Sequence, residues 1–216
     1  SELTFHYWFW KNKLDKIKNN LWIGFCQKRR FWIKEKTKIK NFNDLKKKII
    51  TRIPLSWNKY NSFLCKSINV NNPKKIKILK RGFKNIINDP SVLFVKKKQT
   101  IKLHFDMHHG YGVLDKAIDC MDIKDREEFR NFVSENSKFN PHIMCISKKN
   151  ILNKWFKDLF KWLFECEKIF GFKNLVGYDQ QRLYAYLAER YMPFWFKKYA
   201  KMKETDWIFF DTLKQK

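Results

Sequence analysis

The chain has 216 residues, which is enough for one sizeable hydrophobic core and requires no more than a single domain. Hydrophobic residues make up 44% and aromatic residues 18%, a composition that excludes a disordered chain. The formal net charge of +26 favours anionic partners, namely nucleic acid, an acidic membrane surface or phosphorylated substrates. Lysine dominates the basic residues, so the few arginines are the more informative candidates for bidentate phosphate binding.

The cysteines and the apolar segments indicate the cellular compartment in which the protein is expected. Five cysteines form no C-x-x-C pair and no zinc-ligand spacing. Cys120, Cys145 and Cys166 lie among apolar residues and are predicted to be core thiols, as expected in a reducing compartment. No signal peptide or bilayer-spanning run is visible. We therefore expect a cytoplasmic protein, either free or peripherally bound to the inner face of the cytoplasmic membrane.

The N-terminal third predicts a helix followed by a buried strand. Helical spacing of apolar residues predicts a helix over residues 2–19, with Trp8, Lys11 and Asn12 away from its apolar face. That apolar face comprises Leu3, Tyr7, Trp10, Leu14 and Ile17. Residues 21–26 predict a short buried strand that ends in Gln27, Lys28, Arg29 and Arg30.

The middle of the chain predicts alternating short elements. Basic helices are expected at 43–50 and 74–88, and further helices at 113–120 and 123–135. Strands are expected at 92–95, 101–106 and 142–146, the second leading into His108, His109 and the loop Gly110-Tyr111-Gly112.

The C-terminal part is expected to be rich in helix. A strongly amphipathic helix is predicted over 150–170 and a second helix over 179–192, with a break near Pro193. The alternation of strands and helices favours an α/β layered fold, and we expect residues 1–216 to form one domain.

Arg29 and Arg30 are the first candidates for chemistry. Because they follow a buried strand, they fall where open α/β sheets place their ligands. Paired guanidinium groups there can hold a diphosphate and stabilise a departing phosphate. The alternative is a solvated basic turn.

A second candidate group lies around residues 104–109. On a strand, His104, Asp106 and His108 would point the same way, and two imidazoles and a carboxylate can bind a divalent metal. Asp106, His108 or His109 can instead act as a general base, or all can be ordinary hydrogen-bonded residues.

A third group lies on the last predicted helix. Arg182 and Glu189 share a stripe with Tyr186, and Arg190 lies beside them; they form either a structural pair or the wall of a pocket. Motifs that would indicate a cofactor are absent from the sequence, including Asp-x-Asp, the Walker loop and G-x-G-x-x-G. We therefore expect no cofactor, with a divalent metal as the open alternative.

The sequence resembles one bacterial family closely. The matching segments are Glu2-Leu3-Thr4, then Tyr7-Trp8-Phe9-Trp10-Lys11-Asn12, and then Ile23-Gly24 through Gln27-Lys28-Arg29-Arg30-Phe31-Trp32. A second match is the aromatic helix around Trp155 followed by Arg182 to Ala188-Glu189-Arg190. The family consists of glycosyltransferase-like domains of capsule and lipopolysaccharide gene clusters, catalogued as a domain of unknown function. This sequence departs from the family pattern at Gln27, where the family has histidine, and at His142, where the family has asparagine.

The resemblance implies a fold and a function. The fold would be an incomplete GT-A-like, Rossmann-like sheet flanked by helices, without the first strand that family members carry before E-L-T. The function would be transfer of a sugar from a nucleotide-sugar donor to a capsule or lipooligosaccharide glycan, or to a lipid-linked acceptor.

Under this reading, residues of the N-terminal helix and the first strand line the donor site, namely Trp8, Lys11, Asn12, Gln27, Arg29 and Arg30. Asp106, His108 and His109 would be catalytic, and Glu2, Arg182, Glu189 and Arg190 would line the pocket wall. The alternatives are a non-catalytic interaction domain or a basic nucleic-acid-binding protein, although no nucleic-acid-binding motif is present.

Overall fold

A computed structural model describes residues 2–212, which fall into two compact units. The first, here called the sheet unit, contains residues 2–67, 140–156 and 195–212. The second, here called the helical unit, contains residues 68–139 and 157–194. That the chain forms one domain stays a prediction.

Helices account for most of the regular structure. They are α1 (Glu2–Asn12), α2 (Phe42–Lys48), α3 (Lys75–Arg81), α4 (Phe83–Asn88), α5 (Ile101–His109), α6 (Val113–Asp119), α7 (Ile123–Glu135), α8 (Lys149–Phe170), α9 (Tyr178–Gln181) and α10 (Leu183–Tyr199). Short 3-10 helices occupy Leu14–Lys16, Leu55–Trp57, Pro90–Leu93 and Lys96–Lys98. In residues 2–212 no helix is both long enough and apolar enough to cross a membrane.

The strands are short. They are β1 (Trp22–Gly24), β2 (Arg30–Trp32), β3 (Ser62–Cys65), β4 (Ile68–Asn69), β5 (Lys138–Phe139), β6 (Cys145–Lys148), β7 (Met202–Thr205) and β8 (Trp207–Phe209). In the sheet unit, β1, β6, β3 and β7 form a sheet in that order, with β6 antiparallel to both neighbours and β3 parallel to β7. The strands β2 and β8 form a separate antiparallel pair, as do β4 and β5 in the helical unit.

The core of the sheet unit packs around Phe63. This side chain is fully buried and its ring stacks on Trp57, with 3.8 Å between the ring centroids. Trp32, Met144 and Ile146 complete the same buried cluster. Burial of these large side chains holds the short strands together, since strands of three or four residues make few hydrogen bonds of their own.

The core of the helical unit is aromatic and contains a few paired polar groups. Trp162 donates a hydrogen bond to the carbonyl of Ala117 at 2.6 Å, and its ring packs edge-on against Phe129 and Tyr191. The Tyr191 hydroxyl donates to a carboxylate oxygen of Asp125 at 3.0 Å. These bonds satisfy polar atoms that would otherwise be costly to bury.

The predicted α/β class with a helix-rich C-terminal half is confirmed. The amphipathic helix predicted over 150–170 is α8, and Trp155, Leu159, Trp162 and Cys166 of its apolar stripe are buried. The strand predicted at 21–26 is β1, but it is shorter than expected, and it is half-buried to exposed at the edge of the sheet, so the prediction of a buried strand was wrong.

The two strands predicted at 92–95 and 101–106 were wrong. The first is a 3-10 helix, Pro90–Leu93, whose start is capped by Asp89. The second is α5, capped by Thr100, whose side chain accepts a hydrogen bond from the Leu103 amide. Leucine, phenylalanine and methionine at 103, 105 and 107 imitate strand alternation, but α5 is buried on most of its surface, so the alternation carries no information about its period.

Other boundaries differ at element ends. The first helix ends at Asn12 and not at residue 19, with Leu14–Lys16 forming a 3-10 turn. The strand predicted at 142–146 is β6, which begins at Cys145. Pro193 lies inside α10 and does not end it, and the tail left unassigned forms β7 and β8.

Candidate functional site

Three strands of the sheet unit end at the same edge of the sheet. Because β1 and β3 are both antiparallel to β6, they run parallel to each other and to β7. Their carboxyl ends therefore coincide with the amino end of β6, and the segments at 25–30, 66–67, 140–144 and 206 meet there. Open α/β sheets bind ligands at this edge.

Arg29 is presented by a tight turn at this edge. The amide of Arg30 donates to the carbonyl of Gln27 at 3.0 Å, and Arg29 has a φ of +66°. A positive φ costs about 1–2 kcal/mol for a residue with a Cβ, so glycine or asparagine is the ordinary choice. The side chain is 40% exposed and lies 3.5 Å from an Asp211 carboxylate oxygen, while its buried Nε has no hydrogen-bond partner. The exposed part of the Arg29 side chain is thus accessible to a ligand.

Arg30 contacts a histidine that stands on the segment before β6. Its Nε donates to Nε2 of His142 at 3.1 Å, and the His142 ring packs edge-on against Trp207. His142 also has a left-handed backbone, with φ at +67°. Two non-glycine residues in this conformation at one edge are a common feature of ligand sites.

A buried polar network lies at the same edge. The side-chain amide of Asn140, which is fully buried, donates to the carbonyl of Cys65 at 2.6 Å and to Glu204 at 2.8 Å. Glu204 also accepts from the amide of Ser67 at 3.1 Å. This network ties the ends of β3 and β7 to the segment that carries His142, so it positions the edge.

The helix α1 packs against the residue that follows β1. The ring of His6 lies 4.5 Å from that of Phe25 and 5.8 Å from that of Phe156, and burial lowers the pKa of His6 to about 4. His6 therefore packs as a neutral aromatic ring. The helical spacing of apolar residues did not identify it, because a histidine is not counted as apolar.

The other named residues of α1 are at its surface. Trp8 is 46% exposed, and Lys11 and Asn12 are also exposed. The side chain of Asn12 donates to the carbonyl of Trp8 at 2.8 Å, and Lys11 lies over the Trp10 ring. Glu2 is half-buried at the start of the helix. The Trp8 ring stacks on Phe5 at 6.0 Å, and the Lys13 ammonium lies 5.5 Å from its centre.

The helical unit has its own cluster of histidines. On α5, His104 and His108 face each other with ring centroids 4.8 Å apart, and His109 stacks on Tyr186 at 3.9 Å. Burial, followed by the charge of Arg190, lowers the pKa of His104 to about 2 and that of His109 to about 3. Burial and nearby lysine and arginine lower the pKa of His108 to about 4. All three rings are neutral near pH 7.

Arg190 lies at the centre of this cluster. It is 2% exposed, donates to Glu189 at 2.5 Å, and lies 3.2 Å from Nδ1 of His104. Its guanidinium sits 3.9 Å above the centre of the Phe139 ring. Arg182 is directed elsewhere, hydrogen-bonded to the hydroxyl of Tyr178. Arg190 and Glu189 are therefore a buried pair, and this geometry favours the structural interpretation over the pocket wall.

Asp106 is held by its own segment. One carboxylate oxygen accepts from Asn85 at 2.8 Å and the other from the amide of Gly112 at 3.3 Å. Burial raises the pKa of this carboxyl group. Asp106, His108 and His109 line an open groove of about 440 Å³ within the helical unit.

The metal interpretation of this segment depended on a strand. On the helix α5, His104 and His108 share one face, but Asp106 lies two residues from each and points in a different direction, so the three side chains do not converge. Within residues 2–212, no group of three or more His, Cys, Asp or Glu side chains is arranged to hold a metal ion.

The structure brings together some of the predicted residues. Gln27, Arg29 and Arg30 share one turn at the sheet edge, and the three proposed catalytic residues share one groove of the helical unit. Asn140, Glu204 and Asp211 were not anticipated, because they carry no local motif and approach the edge only through the strand pairing.

Comparison with known proteins identifies a family and a fold. A model of the family described as "Domain of unknown function (DUF4422)" matches residues 1–201. The apo structure of the WbbM bifunctional glycosyltransferase superposes with a TM-score of 0.66 at 16% sequence identity. That alignment covers 98% of this chain but 36% of the other, so the chain spans about a third of that protein's length. A search of curated proteins gave no match.

Proposed function

We propose that this chain, which belongs to the DUF4422 family, transfers a sugar from a nucleotide-sugar donor to a glycan or lipid-linked acceptor, as in capsule or lipooligosaccharide assembly. The fold is that of a solved glycosyltransferase. The observation that carries the proposal is the turn that presents Arg29 and Arg30 at the carboxyl edge of the parallel strands.

The two arginines would bind the donor diphosphate. Guanidinium groups form charge-assisted, paired hydrogen bonds with phosphate oxygens, and the Arg29 side chain is 40% exposed and so accessible to such a ligand. As the bond to the sugar breaks, negative charge grows on the departing diphosphate, and fixed cations stabilise it.

His142 would orient the guanidinium group of Arg30. Its Nε2 accepts a hydrogen bond from Arg30 Nε. The bond fixes the guanidinium plane, so less side-chain freedom is lost when a phosphate binds its remaining N–H groups. The segment with the family's altered residue thus takes part in the proposed donor site.

The residues proposed for donor stacking and for catalysis keep those roles. Trp8 would stack on the sugar or the base, and Lys11, Asn12 and Gln27 would belong to the same donor site. Asp106, His108 and His109 are the candidates for acceptor activation; burial and the charge of Arg190 lower the pKa of His109 to about 3, so its ring is neutral at pH 7 but a weak base. Their participation stays a prediction.

Nucleotide binding tests the proposal directly. Isothermal titration calorimetry of the full chain with UDP, GDP, CDP and their common sugar derivatives should detect one donor class. Arg30→Ala should weaken that binding about tenfold or more, because a charged hydrogen bond contributes about 1.5–3 kcal/mol. Hydrolysis of the bound nucleotide sugar should fall in parallel.

Arg52→Ala is the matched control, since Arg52 is exposed in the same unit and carries the same charge. Equal loss in both variants would mean that only the general positive field matters. No nucleotide binding, combined with salt-dependent binding of an oligonucleotide, would favour the nucleic-acid alternative. Absence of both would favour a non-catalytic interaction domain.

A further inference from the structure

The helices α3 and α4 form a bent pair joined at Gly82. The Gly82 amide donates to the Ile78 carbonyl at 2.7 Å, and a Cβ at this position would meet that carbonyl oxygen at 2.9 Å. The close approach requires glycine and fixes the bend. On the inner side, Ile78 and the half-buried Ile86 pack against Val92 and Met107. The core of this region is therefore complete without the outer faces.

Both helices expose large apolar side chains among their basic ones. Ile76 and Leu79 on α3, and Phe83 and Ile87 on α4, are all exposed, with Ile87 at 64%. Phe94, just after the following 3-10 turn, is 72% exposed. The outer face of a short surface helix is ordinarily polar, and a cluster of exposed apolar side chains marks a docking surface. These five side chains are here called the apolar ridge.

The apolar ridge stands in a strongly basic segment. Residues 74–98 contain nine lysine and arginine residues and a single acidic residue, Asp89. Asp89 is bound to Lys98 at 2.6 Å and caps the 3-10 turn, so its charge is already matched. The Lys75 ammonium lies 4.9 Å from the centre of the Phe94 ring, which places charge directly beside the ridge.

We propose that the apolar ridge and its lysines dock this chain on a bilayer of anionic phospholipid. Aliphatic side chains enter the boundary between headgroups and acyl chains, while lysine stems follow them and keep their ammonium groups at the phosphates. A nucleic acid would instead favour aromatic rings for base stacking, and three of the five ridge residues are aliphatic. The proposal does not rest on donor binding, because the ridge and the arginine turn belong to different units.

Vesicle sedimentation tests the proposal. The full chain should sediment with vesicles of equal parts phosphatidylcholine and phosphatidylglycerol and bind phosphatidylcholine vesicles at least about tenfold more weakly. Raising NaCl from about 0.1 M to about 0.5 M should weaken the binding severalfold, because the lysines contribute by long-range attraction.

Two variants separate the apolar and charged contributions. Phe83→Ser with Ile87→Ser should reduce the affinity about tenfold or more, and Lys80→Ala with Lys84→Ala should reduce it by about fivefold per lysine. Leu55→Ser, which changes an exposed leucine of the other unit, and Lys154→Ala with Lys157→Ala, which removes two exposed lysines of α8, are matched controls and should bind as the wild type does.

Several results would overturn the proposal. They are failure of the wild-type chain to bind the anionic vesicles, equal losses in the ridge and control variants, and an oligonucleotide that competes fully with the vesicles. Concentration-dependent dimerisation lost in the serine variant, without vesicle binding, would assign the ridge to a second copy. Circular dichroism should show that the variants fold, since every substituted side chain is exposed; if the serine variant unfolds, the lysine variant and the salt series still decide the outcome.

Discussion

Two arginine sites, one in each unit, show how surroundings separate a ligand site from a structural one. Arg190 in the helical unit is almost fully buried, and its guanidinium contacts Glu189, His104 and the Phe139 ring. Arg29 in the sheet unit is partly exposed, strained in its backbone and paired, within residues 2–212, only with Asp211 at 3.5 Å, while the buried Nε of each arginine has no hydrogen-bond partner there. A buried arginine in an ion pair stabilises the fold around it, whereas an exposed arginine in a strained turn is accessible to a ligand.

The largest expected effect comes from breaking the buried pair. Arg190→Met should lower the free energy of unfolding by about 3–5 kcal/mol, because it removes the buried guanidinium that pairs with the Glu189 carboxylate. Urea denaturation followed by circular dichroism measures this. Arg182→Met, just before the same helix and directed to Tyr178, should cost less than about 0.5 kcal/mol. Equal effects would show that Arg190 is not structural.

The next effect tests how the sheet edge is positioned. Asn140→Ala should cost about 1–3 kcal/mol, since the Cys65 carbonyl and Glu204 each lose a donor in a buried place. Asn58→Ala at an exposed position is the control. If the network also orients the arginine turn, nucleotide affinity should fall in the Asn140 variant at a temperature where it remains folded.

The buried histidines predict a dependence of stability on pH. Because the folded-state pKa of His104 lies far below that of an unfolded histidine, the unfolded chain binds the proton first. Stability is therefore complete above about pH 6.5 and decreases as the pH falls below it, by at most about 1.4 kcal/mol per pH unit for each histidine.

His104→Gln should reduce the slope of unfolding free energy against pH, between about pH 6 and about pH 5, by about 1.4 kcal/mol per pH unit. Urea denaturation at each pH measures this slope. His6→Phe should have the same effect in the sheet unit, because the pKa of His6 is lowered to about 4 by burial. An unchanged slope in both variants would contradict the neutral state assigned to these rings.

The smallest expected effect concerns backbone strain. At Arg29 the left-handed conformation favours glycine, so Arg29→Gly should be about 1 kcal/mol more stable than Arg29→Ala. Both variants should lose nucleotide affinity alike. A difference in affinity between them would indicate that the turn conformation, and not the guanidinium, determines binding. Thermal unfolding with and without nucleotide provides both quantities.

Much of the framework was predictable from local patterns. The stripe of α8 repeats at helical spacing over six turns, and a polar turn after an apolar run located Arg29 and Arg30 at the end of a strand. The prediction of a strand at 101–106 was wrong because α5 is buried on most sides, which hides the helical period of its apolar residues. The prediction of a helix break near Pro193 was wrong because tertiary packing outweighs the local preference of proline.

The sequence by itself determined the family, the α/β class and the place of the arginine pair, since these depend on motifs and on contacts between residues close in the chain. Only the tertiary structure decided which charges are matched. Arg190 meets His104 across 86 positions, and Arg30 meets His142 across 112. Such partners are chosen by how strands pair and helices pack, and burial then determines whether an arginine is matched inside the protein or remains available to a phosphate.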